Sequence, residues 1–238
     1  MRVALVCIAK NEDHYIKEWC DYHLKLGFDQ IFIYQNDWVC DLEMENVTKL
    51  TMNGPTKQME SYNTFIKTYH QEFDWAAFFD VDEFLVLKKH NSVKDFISDY
   101  SEYDAIGINW VFFGDNNITE LENNTSVLKR FTKRQKGINS HIKTILKMND
   151  GVFMSIHNPI VPNEIVDTNF NKFSGPFNPN GDDNIAQLNH YFVKTKKEFI
   201  QKIDRGRPDI TIKRNISDFE PHNLNDIDDF SALNFYIK

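Results

Sequence analysis

Two carboxylates spaced two residues apart, Asp80 and Asp82, follow directly on the strongest apolar run in the sequence, Trp75 to Phe79, and Glu83 stands beside them. Three acids at one strand end concentrate negative charge, which is unfavourable unless a cation or several hydrogen-bond donors compensate it. A divalent metal is the natural compensator, and oxygen ligands of this kind suit Mg2+ or Mn2+. A metal held there bridges to a diphosphate, neutralises it and acts as Lewis acid for its departure. Open parallel sheets place their ligand crevice at this point, outside the carboxyl ends of the strands. The bland alternative is a polar strand-to-loop turn, since Asp-x-Asp is common in every class of sequence.

The elements that must position these acids can be read from hydrophobic periodicity. Val3 to Ala9 is nearly all apolar, as a strand covered on both faces should be. Tyr15, Trp19, Tyr22 and Leu26 recur at helical spacing, with Gly27 as the stop. Asp29 to Tyr34 is a second strand and Gln35-Asn36-Asp37 a polar loop, so the chain opens with a β-α-β unit and a parallel sheet follows. Val47 to Met52 is a short third strand. A second helix carries Met59, Tyr62, Ile66, Tyr69 and Phe73 on one face. After the acids the apolar run resumes as Phe84 to Leu87, and Ser92 caps a short helix with Val93, Phe96 and Ile97 inward. Ala105 to Phe113 is a strand running into the loop Gly114 to Asn117. Residues 126 to 170 read as shorter strands between polar turns. Residues 171 to 184, rich in Asn, Pro and Gly, read as a long loop and candidate lid. Gln187 to Val193 is a strand, Thr195 to Arg205 a helix with Phe199 and Ile203 inward, and the tail from Ser217 is acidic and Asn-rich.

Composition limits the function classes. The chain has 238 residues, 41% of them hydrophobic and 14% aromatic, with 20 Phe, which suits a single packed α/β domain and argues against disorder. A formal net charge of −8 disfavours nucleic acid as a partner and anionic membranes as a surface. The three cysteines, Cys7, Cys20 and Cys40, are too few and too one-sided for a disulfide framework, so they read as core residues in a reducing, cytoplasmic setting. The N-terminal apolar run ends in charge without a cleavage-site context, and no run approaches the length of a transmembrane helix, which leaves peripheral membrane association open. Sequons at Asn46 and Asn215 reflect the abundance of Asn.

Four blocks in order carry a family resemblance. They are ALVCIAKNEDHYIKEWCDYHLKLGFDQIFIYQND, DWAAFFDVDEFLVL, INWVFFG and LNHYFVKTKKEFIQKIDRGRPD, and together they span most of residues 3 to 209. The sequence resembles the family 2-like glycosyltransferases of GT-A fold, which include capsule, surface-glycan and viral transferases. The resemblance implies a Rossmann-like mixed sheet flanked by helices over residues 1–214. The acidic segment 215–238 is left unmatched, as a tail or the boundary to a further module. It implies a nucleotide-sugar donor, most readily UDP-linked, a glycan acceptor, and Mn2+ or Mg2+. Carried over position by position, Asp80 contacts the ribose and the metal, Asp82 ligates the metal, and His190 is the third ligand. A hydrogen-bonded strand histidine is the alternative for His190. Ala9, Lys10, Asn11 and Glu12 lie where base and ribose sit in this fold, with Asn36 and Asp37 flanking them and Val81 between the acids. Gln58, Tyr62 and Asn63 resemble the helix residues that face the donor. Asn11 as a helix cap and Tyr62 as a core residue are the plain alternatives.

Lys143, Arg205 and Arg207 are candidates for the diphosphate, Arg as a planar charged fork and Lys as a point charge. Trp110, Phe112 and Phe113 could stack a sugar ring, although at strand spacing at least one must be core. An inverting enzyme also needs a base for the acceptor hydroxyl. Asp182 and Asp183, at the distance from the Asp-x-Asp where inverting relatives place it, and Asp115, after the Trp110 strand, are the candidates; a retaining enzyme needs none. Two other classes compete with transfer of a hexose or deoxyhexose. A metal-dependent nucleotidyltransferase or phosphohydrolase would release pyrophosphate or phosphate, but the nine glycines form no phosphate-binding G-x-x-x-x-G-K-[ST] loop. A non-catalytic glycan-binding module would bind no nucleotide.

Overall fold

A computed structural model describes residues 1–119, 126–160 and 164–238. The elements run β1 (Val3–Ala9), α1 (Ile16–Lys25), β2 (Gln30–Gln35), β3 (Val47–Thr51), α2 (Gln58–Tyr69), β4 (Trp75–Phe78), β5 (Glu83–Leu87), α3 (Val93–Ser98), β6 (Ala105–Phe112), α4 (Val127–Arg130), β7 (Lys133–Arg134), β8 (Ile142–Lys147), β9 (Ile165–Val166), β10 (Lys172–Phe173), β11 (Ala186–His190), α5 (Lys196–Arg205), α6 (Phe219–His222), β12 (Ile227–Asp228) and α7 (Ser231–Ile237). They form one mixed α/β domain. The main sheet has the order β10-β9-β6-β8-β4-β1-β2-β3, with β5 and β11 joined to it through β6. The half built from β3, β2, β1 and β4 is parallel, as the opening β-α-β pattern requires.

Every residue of β1 is buried because both faces are covered. Val3, Leu5, Cys7 and Ala9 face one core with Trp19, Cys20 and Tyr22 of α1, and Ala4, Val6 and Ile8 face the other with Tyr62, Phe65 and Ile66 of α2. Gly27 stops α1 with φ +102°, where a side chain would be strained. All three cysteines are free and buried. Ser92 caps α3 by accepting from the Asp95 amide.

Several expectations are refined or corrected. The apolar runs either side of the acids form two strands with different partners: β4 joins β1 and β8, whereas β5 leaves to pair antiparallel with β11. The acids fill the turn between them. α2 ends at Tyr69, leaving Phe73 buried beyond it, and Met59 is exposed because Gln58 and Ser61 take the inward face. Within 126 to 170 the short strands are present as β7, β8 and β9, with β8 set between β4 and β6, but the segment opens on a helical turn, α4; residues 161–163 lie outside the described residues. The strand expected to reach Val193 ends at His190. The candidate lid is pinned. Asn109 donates to the Asn178 carbonyl at 2.8 Å, and Gly181 lies so close that an added Cβ would meet Asn109 Oδ1 at 2.1 Å. Only glycine fits there.

The segment after residue 215 folds onto the same body. β12 pairs with β7, Asp229 accepts from Arg134 at 2.8 Å and from Gln187 at 2.9 Å, and Phe235 of α7 packs edge-on to Tyr22 with ring centres 5.2 Å apart.

Candidate active site

Register brings the site together. β5 and β11 pair so that Glu83 faces His190, and the Tyr191 amide donates to the Asp82 carbonyl at 2.9 Å. β11 also runs parallel to β6, with His190 opposite Phe112. Asp82, His190, Trp110 and Phe112 therefore meet at one end of three strands. They line a cleft of about 710 Å³, a size typical of small-molecule sites. Ile8 to Lys10, Glu12, Asn36, Asp37, Gln58, Asp80 and Val81 line it from the β1–β2–β4 side, and the segment 205–214 with Asp218 and His222 lines it from the other.

The acids are not left facing one another. The Asp80 amide donates to Glu83 Oε2 at 2.8 Å, which closes the turn and turns Glu83 into the interior. Asp80 accepts from Gln58 Nε2 at 2.9 Å and from Lys143 Nζ at 3.0 Å. Gln58 also donates to the Tyr62 hydroxyl at 3.0 Å. Asp82 accepts from Lys202 Nζ at 2.5 Å, and its other oxygen lies 3.6 Å from His190 Nε2. The compensation expected of a metal alone is thus shared by two lysines. Burial opposes ionisation of Asp82, but Lys202 and His190 outweigh it and hold the carboxyl well below its usual range. Burial pushes Glu83 well above its own, against the pull of Lys143. His190 is pushed down to about 4 by burial, with Asp82 opposing, so its ring is neutral and ligand-competent at neutral pH.

Asp82 Oδ1 and His190 Nε2 offer one oxygen and one imidazole nitrogen to a cation. Among the described residues no group of three His, Cys, Asp or Glu is arranged to hold a metal. Asp80, with both oxygens on Gln58 and Lys143, is not turned towards that pair. A two-donor site of this kind would leave the remaining ligands to phosphate and water; the carboxylate oxygen suits Mg2+ or Mn2+, whereas an imidazole is an unusual ligand for Mg2+.

The opposite wall is cationic. Lys202, Arg205, Arg207, Lys213 and Arg214 all line the cleft, in a chain of net charge −8. Burial pushes Lys202 down to about 7, and Arg214, Lys194 and Arg205 add to the fall while Asp82 resists it. Arg214 is lowered by burial and by Arg207 and Arg205. Crowded, partly desolvated cations of this kind are relieved by a polyanion. Helix α5, which presents Lys202 and Arg205, is anchored by a capping box between Thr195 and Glu198. Glu198 also takes a two-pronged contact from Arg130 at 2.8 and 3.0 Å and one from the Tyr15 hydroxyl at 2.6 Å.

Of the donor candidates, Ala9, Lys10, Glu12, Asn36, Asp37, Gln58, Asp80, Val81 and Arg205 line the cleft. Arg205 is paired with Glu12, and Arg207 with Asp209 at 2.6 Å. Lys143 does not reach the cleft and serves Asp80 instead. Asn11 lies in an adjoining pocket beside Tyr15 and Lys194. Tyr62 is buried under Gln58, and Asn63 staples α2 to Met154 by two hydrogen bonds of 2.9 Å. Trp110 and Phe112 line the cleft, whereas Phe113 is core.

The three base candidates do not line the cleft. Asp183 is held by Lys88 at 3.0 Å and Arg134 at 2.9 Å, Asp182 by Asn169 and Asn184 at 2.9 and 2.8 Å, and Asp115 closes its own turn onto the Asn117 amide at 2.8 Å. The sequence reading missed His141, His157, Arg214, Asp218 and His222, all of which line the cleft. None lies in a recognisable motif. The one available signal was that four of the eight histidines follow residue 140.

Three side-chain atoms on this cleft are buried without a partner: Glu12 Oε2, Trp110 Nε1 and His190 Nδ1. Buried polar atoms are rarely left so unless something binds.

Over 114 residues the chain is 27% identical to a glycosyltransferase family 92 protein of Arabidopsis thaliana, covering 41% of this chain and 20% of that one. A Ricinus communis member is 29% identical over 109 residues, covering 39% and 19%. The chain thus spans about a fifth of the length of the curated relatives it matches. Among solved structures, HddC from Yersinia pseudotuberculosis superposes with a TM-score of 0.32 at 13% identity over 61% of this chain and 73% of that one. TarS from S. aureus gives a TM-score of 0.30 at 16% identity over 52% and 23%. The model of glycosyltransferase family 92 matches residues 55–230, and the chain belongs to that family.

Proposed function

We propose that the cleft binds a nucleoside diphosphate sugar, with UDP as the nucleotide, and transfers its hexose or deoxyhexose to a glycan acceptor. The observation that carries this reading is the pairing of the Asp82–His190 donor pair with the crowded cations Lys202, Arg205, Arg207 and Arg214 across one cleft. This supports the reading of the cleft as a GT-A donor site. Glu12, with Oε2 unpaired, and Asn36, whose amide is fixed by the Met52 and Gly54 carbonyls at 2.8 Å, suit the ribose and the base edge. Asp80, fixed by Gln58 and Lys143, faces the ribose. The cations take the diphosphate, and Trp110 and Phe112 give the sugar a stacking surface.

Asp82 and His190 would hold Mn2+ or Mg2+, which supplies Lewis-acid stabilisation of the departing diphosphate. The chain's own contribution is separate. Arg205 and Arg214 present charge where negative charge develops on the leaving group, and α5 holds them there through Glu198. The three buried free thiols fit a reducing, cytoplasmic setting.

A thermal-shift series with UDP, UDP-glucose, UDP-galactose and UDP-N-acetylglucosamine, with and without Mn2+, tests the donor reading. Metal-dependent stabilisation by UDP and at least one UDP-sugar is expected, since a ligand of the native state raises the melting point by mass action. No shift with any nucleotide, metal present or absent, contradicts it.

A further inference from the structure

The cleft's carboxylates are engaged. Glu12 faces Arg205, Asp37 faces Lys10, Asp82 faces Lys202, Asp80 faces Lys143, and Asp209 faces Arg207. A carboxylate matched to a cation is a poor acceptor of a further proton. Asp218 has no such partner among the described residues, but it closes a capping box by accepting from the Asn215 amide at 2.8 Å. Four residues on, His222 also lines the cleft. Its Nδ1 lies 2.7 Å from the Asp218 carbonyl. A carbonyl only accepts, so in the neutral ring Nδ1 carries the proton and Nε2 keeps a free lone pair. The ring stands edge-on to Phe112, with centres 5.0 Å apart, and 4.8 Å from Phe192; on its other side Phe112 stacks on His190 at 5.2 Å. His222 is thus one aromatic ring away from the Asp82–His190 pair, on the sugar side of the cleft. Around it stand His141 and His190 beyond Trp110 and Phe112, Lys202 and Arg214 on the Phe192 ring, and Asp218 on its own turn. His141 and His157 are weaker candidates, since burial lowers both, His157 to about 4.

Resting on the donor reading above, we propose that His222 Nε2 is the base that activates the acceptor hydroxyl in an inverting transfer. The acceptor oxygen forms its bond to the anomeric carbon as that carbon's bond to the diphosphate oxygen breaks. The bonding pair leaves with the nucleoside diphosphate. The hydroxyl proton passes to Nε2, and the imidazolium later returns it to solvent.

The test compares wild type with His222→Gln, His222→Ala and Asp218→Asn. UDP release from UDP-glucose, UDP-galactose and UDP-N-acetylglucosamine is followed with Mn2+ and a glycan acceptor from pH 5 to 9, alongside the Kd for UDP. Loss of the base lowers kcat about 10²- to 10⁴-fold in both His222 variants. The Kd for UDP stays within about twofold, and the acid limb of the wild-type kcat profile disappears. Product of inverted anomeric configuration is expected from the wild type. Near-normal kcat in His222→Gln with the acid limb intact overturns the assignment, as does a loss confined to Asp218→Asn or a product of retained configuration. A wild type that binds no UDP and turns over none of the three donors contradicts the donor reading itself, which separates the two failures.

Discussion

The two walls of the cleft are built on different principles. One wall is made of strand ends: Ile8 to Lys10 at the end of β1, Asn36 and Asp37 after β2, and Asp80 to Asp82 after β4. Its polar groups are amides and carboxylates fixed by short backbone contacts, such as Asp37 on the Gly54 amide at 3.0 Å. The other wall is made of a helix end and loops, from Arg205 through Arg214 to His222, and its groups are cations and imidazoles. The first wall suits neutral hydroxyls and base edges; the second suits negative charge, which on the proposed reading develops on the departing diphosphate. Lys202 reaching across to Asp82 joins them.

If that division is right, the largest effect comes from the joint between the walls. Asp82→Asn should lower turnover by about 10³-fold or more, because it removes the carboxylate that lies beside His190. The fold should persist: Lys202, already lowered to about 7 by burial, can shed its proton when its partner goes. Steady-state rates and a circular dichroism melt check both halves of the statement.

Next comes the support of the cationic wall. Glu198 is held down to about 2, where burial is outweighed by Arg130, Thr195 and Tyr15. A depressed carboxyl stabilises above its unfolded pKa, and the contribution is lost as pH falls from about 4.5 towards 2. Glu198→Gln should therefore cost about 3 kcal/mol near neutral pH and lower the melting temperature by roughly 6–12 °C. The penalty should fade in melts taken at decreasing pH. A smaller effect is expected from Arg205→Ala, which should weaken UDP binding about 30-fold, or about 2 kcal/mol, by calorimetry. Asp115→Asn and Asp182→Asn, outside the cleft, should leave kcat within about twofold.

The sequence is legible where geometry is local. The unbroken apolar run of β1, the Gly27 stop, the Ser92 cap and the acids after Phe79 each depend on neighbours in the chain, and the structure places them as the pattern suggests. The strand-end wall follows from the same rules, since a parallel sheet aligns its carboxyl ends. The second wall depends on register between distant strands. Nothing near Lys202 in sequence shows that Asp82 will be its partner, nor does the acidic stretch around Asp218 show that His222 will face Phe112. Asp182 and Asp183 were drawn in by spacing, yet the Asn109–Asn178 contact and the Arg134 and Lys88 cations hold their loop away from the cleft. The two apolar runs either side of the acids are legible, but only the pairing of the second with β11 shows that it leaves the neighbours of the first.

Identification of the phosphorus products tests the central claim most directly. With a UDP-sugar, Mn2+ and a glycan acceptor, phosphorus NMR should show intact UDP as the phosphorus-containing product, and Asp82→Asn should abolish it. Pyrophosphate or inorganic phosphate from the wild type, without UDP, would contradict a sugar-transferring cleft.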